Sequence, residues 1–162
     1  PVITAINGTA AGAGFSIAIA GDFAISADTA KYTLAYTGAG LSPDGSSTYV
    51  LPRLVGMRKA MELMITNRVL NAAEALDWGL VSEVVPSADV MMRANELATQ
   101  LANGPSAAYG QVKNLLMSSF QNGYETQLQL ESDGIANMAS TSDGKEGIAA
   151  FLEKRKPNFT GK

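Results

Sequence analysis

The sequence of 162 residues contains no cysteine and no histidine. Their absence excludes thiol nucleophiles, disulfides, Ser-His-Asp triads and almost every zinc site, so no metal centre is expected. Acid–base chemistry must therefore fall to carboxylates, tyrosine or lysine, with backbone N–H groups stabilising developing charge. A chain without a disulfide framework is compatible with the cytoplasm, where we expect this protein to act.

Charge is also scarce, because charged residues make up 17% of the chain and the net charge is −3. This balance gives no electrostatic reason to expect nucleic acid or an anionic membrane surface as a partner. The hydrophobic fraction of 46% is typical of a globular chain and excludes general disorder.

The first 21 residues carry no charge at all. They include Asn7, Ser16 and several glycines, so the side chains of this run are too small and too polar to form a membrane span. The run is better interpreted as a buried strand, a glycine-rich turn and a helix of small residues. Because a native chain seldom begins inside a core strand without an initiating Met, we expect an N-terminal part to be missing. We also expect the chain alone to be inactive and poorly soluble.

The first half of the chain is predicted to be mixed and the second half helical, and a shift in composition near Gly104 is the candidate boundary. The methionines at 57, 61 and 64 have helical spacing and are predicted to lie in the core. Asp143 and Glu146 form a possible capping box for the last helix. The predicted strands are 2–6, 22–27, 31–35 and 80–85, and the predicted helices are 14–21, 46–54, 57–66, 72–78, 87–103, 105–120, 124–138 and a last one ending before Pro157.

Asp44 is the acidic residue with the most unusual setting, within the segment LSPDGSS between an apolar loop and a helix start. One interpretation is a tight turn in which Asp44 caps the helix. The other is a lone carboxylate on a small-residue loop, able to approach a ligand closely and act as a general base.

The segment NGTAAGAG, residues 7–14, has a comparable ambiguity. A Rossmann fingerprint fails because the third glycine position is Ile17, and a P-loop fails because no lysine precedes Lys31. The segment can be a strand–turn–helix element that presents free N–H groups as an oxyanion hole, or simply a closely packed Gly/Ala helix.

Taken together, the segments resemble the enoyl-CoA hydratase/isomerase (crotonase) superfamily in order and spacing along the whole chain. The stretches that carry the resemblance are PVITAINGTAAGAGFSIAIAGDFAISADTAKYTLA, GLSPDGSSTYVLPRLVGMRKAMELMITNR, AAEALDWGLVSEVVP and EGIAAFLEKRKPNFTG. The resemblance is greatest to the 2-(1,2-epoxy-1,2-dihydrophenyl)acetyl-CoA isomerases of phenylacetate catabolism, which also shift 3-enoyl-CoA to 2-enoyl-CoA. Family members start well before the strand that opens this chain, which supports the expectation of a truncated N-terminus.

The resemblance implies an α/β fold, with part of a crotonase-type β/α spiral core at residues 1–104. A helical trimerisation region is implied at residues 105–162. It implies an acyl-CoA thioester substrate, with coenzyme A as part of the substrate rather than a cofactor, and a homotrimer or dimer of trimers.

Site residues follow from the same resemblance. Ala13, between Gly12 and Gly14 of the oxyanion loop, matches one of two backbone donors to the thioester carbonyl. The second donor belongs to the missing N-terminal part. Phe151 and Lys154 match residues that contact the adenine and phosphates of the CoA bound by a neighbouring subunit.

Two departures from the hydratases of the family are informative. The positions of their two catalytic glutamates are Ser16 and Tyr36 here, which argues against water addition and assigns both residues to the acyl pocket. Asp44 instead matches the catalytic aspartate of the isomerases. The expected function is therefore an acyl-CoA isomerase in which Asp44 moves a proton along the allylic system.

Two alternatives remain open on the sequence. Asp44 also matches the attacking aspartate of 4-chlorobenzoyl-CoA dehalogenases, although these carry Trp where this chain has Tyr36. The other alternative is a non-catalytic subunit with the crotonase fold, for which an RNA-binding role conflicts with the acidic pI of about 4.9.

Overall fold

A computed structural model describes all residues, 1–162. The chain forms two compact units, Val2–Glu96 and Leu97–Lys162, with Pro1 grouped with the second. The division between domains after residue 104 stays a prediction.

Six short strands and eight helices make up the chain, with single turns of 3₁₀ helix at Thr37–Ala39 and Ser87–Asp89. The strands are β1 (Ile3–Ile6), β2 (Ala10–Ala11), β3 (Phe23–Ala27), β4 (Lys31–Thr33), β5 (Leu70–Asn71) and β6 (Glu83–Val85). The helices are α1 (Ala13–Ile19), α2 (Ser47–Val55), α3 (Met57–Thr66), α4 (Ala72–Asp77), α5 (Val90–Ala102), α6 (Ser106–Ser119), α7 (Tyr124–Ser140) and α8 (Ser142–Glu153).

The strands of the first unit form two small sheets. In one sheet β3 lies between β1 and β6, and both pairs are parallel. In the other, β4 lies between β2, which is parallel to it, and β5, which is antiparallel. Because β2 leads directly into α1, the second sheet fixes the position at which that helix begins.

Phe15 of α1 and Tyr32 of β4 anchor the core of the first unit. Both are fully buried, and their rings meet edge to face with centroids 6.4 Å apart. The buried Tyr32 hydroxyl donates to Ser26 Oγ at 2.6 Å, which satisfies its hydrogen-bonding requirement. The contact between the rings of Phe15 and Tyr32 packs α1 against the sheet that contains β4.

Local signals predicted several elements well. The helix predicted at 57–66 is α3, and the helix predicted at 72–78 is α4, which Asn71 caps in a full capping box with Glu74. The strand predicted at 80–85 is shorter, because the Leu80 N–H bonds back to the Ala75 carbonyl at the end of α4. The two-residue strands β2 and β5 were not predicted, since so short a segment shows no periodicity.

The prediction that the methionines of α3 lie in the core was wrong, because Met57 and Met61 are exposed and Met64 is only half-buried. Met57 and Met61 are 66% and 54% exposed in this chain. They lie one helical turn apart on one face, whereas Ala60 and Leu63 carry the buried face. Spacing identified a helix, but it could not identify which of its faces is covered.

No helix of the chain combines the length and the apolar character that crossing a membrane requires.

The second unit ends in an extended tail that is fastened to α8. Asp143 is buried and accepts hydrogen bonds from the N–H groups of Thr160 and Gly161, at 2.7 and 2.8 Å. Glu146 forms a bidentate ion pair with Arg155, at 2.6 and 2.8 Å, and accepts a hydrogen bond from the Asn158 N–H.

These contacts correct the predicted capping box of the last helix. The residue that caps α8 is Thr141, whose hydroxyl accepts the Gly144 N–H. Asp143 and Glu146 are engaged by the tail instead. A local motif was misinterpreted because its partners lie 9 to 18 residues further along the chain.

We expect the contribution of Glu146 to stability to be lost only in acid. Its pKa is lowered from 4.5 to about 2, chiefly by the hydrogen bond from Arg155 and then by the Asn158 N–H. A carboxyl group with a lowered pKa stabilises the folded state above its unfolded pKa and loses that effect as pH falls through the folded value. The difference in thermal stability between wild type and Glu146→Gln should be constant above about pH 5 and shrink below it.

The matched control for this measurement is Glu131→Gln, which removes an exposed carboxylate of α7. Its stability difference should stay small at every pH. A Glu146→Gln difference that stays constant from neutral pH down to about pH 3 would contradict the role given to this ion pair.

Candidate functional site

The glycine-rich turn before α1 leaves two backbone donors unused. Gly12 has φ 53° and ψ −124°, the mirror image of an extended conformation, which only glycine adopts readily. Its carbonyl accepts the N–H groups of Phe15 and Ser16. The N–H groups of Ala13 and Gly14 have no acceptor in the protein, and both residues are exposed. This end of the helix can therefore donate to a ligand oxygen.

Asp44 occupies a loop that is tightly turned on its C-terminal side. Gly45 and Ser46 both have positive φ, 60° and 64°, and Ser46 holds the position before the first residue of α2 without a side-chain capping bond. The Asp44 side chain does not cap the helix. It is exposed, and its Oδ1 accepts a hydrogen bond from the Tyr36 hydroxyl at 2.5 Å. Of the two interpretations of the LSPDGSS segment, helix capping by Asp44 is therefore wrong.

Two buried serines hold the backbone of Asp44. Its carbonyl oxygen accepts the hydroxyl of Ser16 at 3.0 Å and that of Ser47 at 2.9 Å. The contact with α1 is also sterically close, because a Cβ on Gly45 would lie 2.8 Å from Ser16 Cβ. The loop that carries the carboxylate is therefore fixed directly on the helix that carries the free N–H groups.

Electrostatics at the site are governed by the Tyr36–Asp44 contact. The pKa of the Tyr36 phenol is raised, mainly by its hydrogen bond to the Asp44 carboxylate and further by desolvation. Tyr36 is thus a protonated donor at neutral pH. Asp44 makes no ion pair, and its Oδ2 has no hydrogen-bond partner. One carboxylate oxygen is held and the other is open.

The structure brings most of the predicted site residues together. Asp44, Tyr36 and Ser16 are linked by hydrogen bonds, and a Cβ on Gly12 would lie 4.0 Å from Tyr36 Cζ. Sequence reasoning assigned Tyr36 to the acyl pocket and missed its bond to Asp44. It also missed Ser47. Neither could be found from periodicity, because both contacts are made to the Asp44 loop, one by a turn residue and one by the first residue of α2.

The two residues predicted to contact CoA belong to the second unit. Phe151 is 82% exposed on α8. Lys154 follows the helix in the left-handed conformation, and its N–H closes the last turn. Neither side chain makes a hydrogen bond or ion pair within the chain, so both are available to a ligand.

An open cleft of about 340 Å³ lies beside the start of α1. Its lining runs from Thr4 through Ala10 and includes Gly14 and Ile17, but neither Asp44 nor Tyr36. The hydrogen-bonded cluster around Asp44, rather than this cleft, is where the titratable groups meet. No group of three or more acidic side chains is arranged to hold a metal ion.

Comparison with known proteins identifies the family. The family model described as "Enoyl-CoA hydratase/isomerase" matches residues 1–162. The chain is 41% identical over 162 residues to "1,2-epoxyphenylacetyl-CoA isomerase" of Escherichia coli strain K12, covering all of this chain and 62% of that protein. It is 37% identical over 154 residues to "4-chlorobenzoyl coenzyme A dehalogenase-1" of Arthrobacter sp, covering 95% of this chain and 56% of that protein.

A crystal structure of an enoyl-CoA hydratase from Polaromonas sp. JS666 superposes with a TM-score of 0.94 at 38% identity. The match covers 99% of this chain and 62% of that one. The chain thus spans about three fifths of the length of these relatives and has the mixed α/β architecture of part of a crotonase core. The family expected from the sequence motifs is confirmed: the chain belongs to the enoyl-CoA hydratase/isomerase family of the crotonase superfamily.

Proposed function

We propose that the complete protein is an acyl-CoA isomerase in which Asp44 transfers the proton. The reaction is the shift of a 3-enoyl-CoA to a 2-enoyl-CoA, or the isomerisation of a ring epoxide of phenylacetyl-CoA. The observation that carries the proposal is the exposed Asp44 carboxylate, with one open oxygen, in a loop fixed on α1 by Ser16.

The chemistry of a double-bond shift needs few groups. A base removes a proton from C2, the thioester carbonyl takes up the negative charge as an enolate, and a proton returns to C4. One carboxylate can perform both transfers if it lies over the allylic plane. The enolate oxygen needs preorganised donors, and the unpaired Ala13 N–H is the donor that we assign to it.

Hydration is less well supported than isomerisation. Addition of water by the family's two-glutamate mechanism requires a carboxylate at each of the positions held here by Ser16 and Tyr36. Neither side chain can replace a carboxylate in that role, and both are engaged with Asp44. The relatives include a protein named as an isomerase at 41% identity and one named as a probable enoyl-CoA hydratase at 42%, so the choice rests on the residues of the site.

Other features of the complete protein follow from the family resemblance. We assign Phe151 and Lys154 to the adenine and phosphate groups of CoA, and both side chains are accessible in this chain. A homotrimer or dimer of trimers in the cytoplasm, with acyl-CoA as the ligand and no cofactor beyond it, completes the proposal.

A dehalogenase is the second candidate function. It is favoured by the 37% identity to a 4-chlorobenzoyl coenzyme A dehalogenase and by the open Oδ2 of Asp44, which could attack an aromatic ring. The presence of Tyr36, where those enzymes carry Trp, makes it the less favoured of the two.

Asp44 is the proposed base. We expect Asp44→Asn to lower kcat for 3-enoyl-CoA by about 100- to 10,000-fold, because the amide cannot accept the substrate proton. The affinity for CoA should change little, since the amide keeps the size of the carboxylate. The measurement is the absorbance of the conjugated 2-enoyl-CoA formed by the complete protein, with CoA binding followed by calorimetry.

Asp77→Asn is the matched control, because it removes one exposed carboxylate at the end of α4. It should leave kcat unchanged. Equal activity of wild type and Asp44→Asn would overturn the proposed mechanism. Absence of activity in both, with CoA still bound, would indicate the dehalogenase or a non-catalytic subunit.

The Ala13 N–H is the proposed oxyanion donor. Ala13 is the first residue of α1, a position at which proline is compatible with a helix while lacking the N–H group. We therefore expect Ala13→Pro to fold normally and to lower kcat by about 100- to 1,000-fold. Circular dichroism and steady-state kinetics of the complete protein test this.

Ala13→Ser keeps the N–H group and serves as the control, with kcat expected close to that of the wild type. A folded Ala13→Pro protein with undiminished kcat would show that this N–H does not stabilise the enolate.

A further inference from the structure

The Tyr36 hydroxyl has a more specific arrangement than a pocket-lining residue requires. It donates to Oδ1 of Asp44 at 2.5 Å, within the range of hydrogen bonds between a hydroxyl and a carboxylate. Tyr36 is half-buried and its ring lies against the glycine turn, since a Cβ on Gly12 would be 4.0 Å from Cζ. The donor is therefore itself supported on a second side.

Asp44 is consequently fixed at both its backbone and its side chain. Ser16 and Ser47 hold the carbonyl oxygen, and Tyr36 holds Oδ1. Rotation of the carboxylate about its last bond would break the Tyr36 hydrogen bond. Only Oδ2 remains without a partner.

We propose that Tyr36 is a positioning residue that confines proton transfer to Oδ2 of Asp44 during the double-bond shift. The proposal rests on the proposed isomerase function and adds to it a determinant of where the proton travels.

Both proton transfers of the double-bond shift use the same carboxylate oxygen, Oδ2. The C2–H bond breaks, its proton forms an O–H bond with Oδ2, and the electron pair moves into the thioester enolate. The enolate then collapses, C2=C3 forms, and the electron pair of the former C3=C4 double bond takes the same proton at C4. Asp44 ends as the carboxylate, and no further reactant is needed.

Confining proton transfer to Oδ2 of Asp44 has a measurable consequence for the fate of the proton taken from C2. While Tyr36 holds Oδ1, the protonated carboxyl group stays directed at the substrate, and the proton taken from C2 is returned before it exchanges with water. Without the hydroxyl, the carboxyl group can rotate and present its proton to solvent. The raised pKa of Tyr36 supports this role, because the phenol stays protonated and cannot itself act as a competing base at neutral pH.

The test is Tyr36→Phe in the complete protein, with 3-enoyl-CoA carrying deuterium at C2, in ordinary water. Mass spectrometry gives the fraction of deuterium recovered at C4 of the product, and steady-state kinetics give kcat and KM. We expect the wild type to return part of the label and Tyr36→Phe to return at least severalfold less. We expect kcat to fall about tenfold, as for loss of one hydrogen bond to a charged group, with KM within about twofold.

Tyr124→Phe is the matched control, because Tyr124 is the most exposed of the large side chains on α7 and its hydroxyl makes no hydrogen bond. It should leave both the label ratio and kcat at wild-type values. A residue that only lined the pocket would change KM and leave the label ratio as it was.

The outcomes separate this inference from the proposed function. An unchanged label ratio in Tyr36→Phe, or complete loss of label already in the wild type, overturns the inference while an inactive Asp44→Asn still supports Asp44 as the base. A fully active Asp44→Asn overturns both.

Discussion

The hydrogen bonds that fasten the Asp44 loop to its surroundings are the constraint on which the site depends. Ser16 of α1 and Ser47 of α2 converge on one carbonyl oxygen, and Tyr36 holds one oxygen of the carboxylate. Each bond comes from a different segment of the chain. Any proton-transfer geometry at Asp44 is therefore inherited from the packing of the first unit, in which buried Phe15 secures α1.

Elements of the fold could be predicted where they depend on residues close together in the sequence, and not where they depend on tertiary contacts. The bounds of α3 and the start of α4 were predictable because they depend on residues at most four apart. The exposure of Met57 and Met61 and the engagement of Asp143 by the C-terminal tail depend on tertiary contacts, which periodicity does not encode. At the site, Asp44 was predictable from its setting, whereas its bond to Tyr36 joins two loop positions eight residues apart.

A shared fold leaves the chemistry to a few positions. The relatives include proteins named as an isomerase and a dehalogenase, on one backbone that this chain matches over nearly its whole length. In this chain Ser16, Tyr36 and Asp44 are joined by hydrogen bonds. The Asp44 carboxylate is held by the Tyr36 hydroxyl, and its backbone carbonyl is held by the hydroxyls of Ser16 and Ser47. A single carboxylate held in this way is suited to general base catalysis.

The most direct measurement is a turnover of the complete protein in water labelled with oxygen-18 and deuterium, with enzyme in excess. It should be run in parallel with 3-enoyl-CoA and with 4-chlorobenzoyl-CoA. A base exchanges only hydrogen, whereas an aspartate nucleophile forms an ester whose hydrolysis places oxygen from water in its carboxylate. We predict conversion of the enoyl-CoA with no oxygen-18 in the peptide that contains Asp44. Oxygen-18 in that peptide would contradict the account of Asp44 as a base.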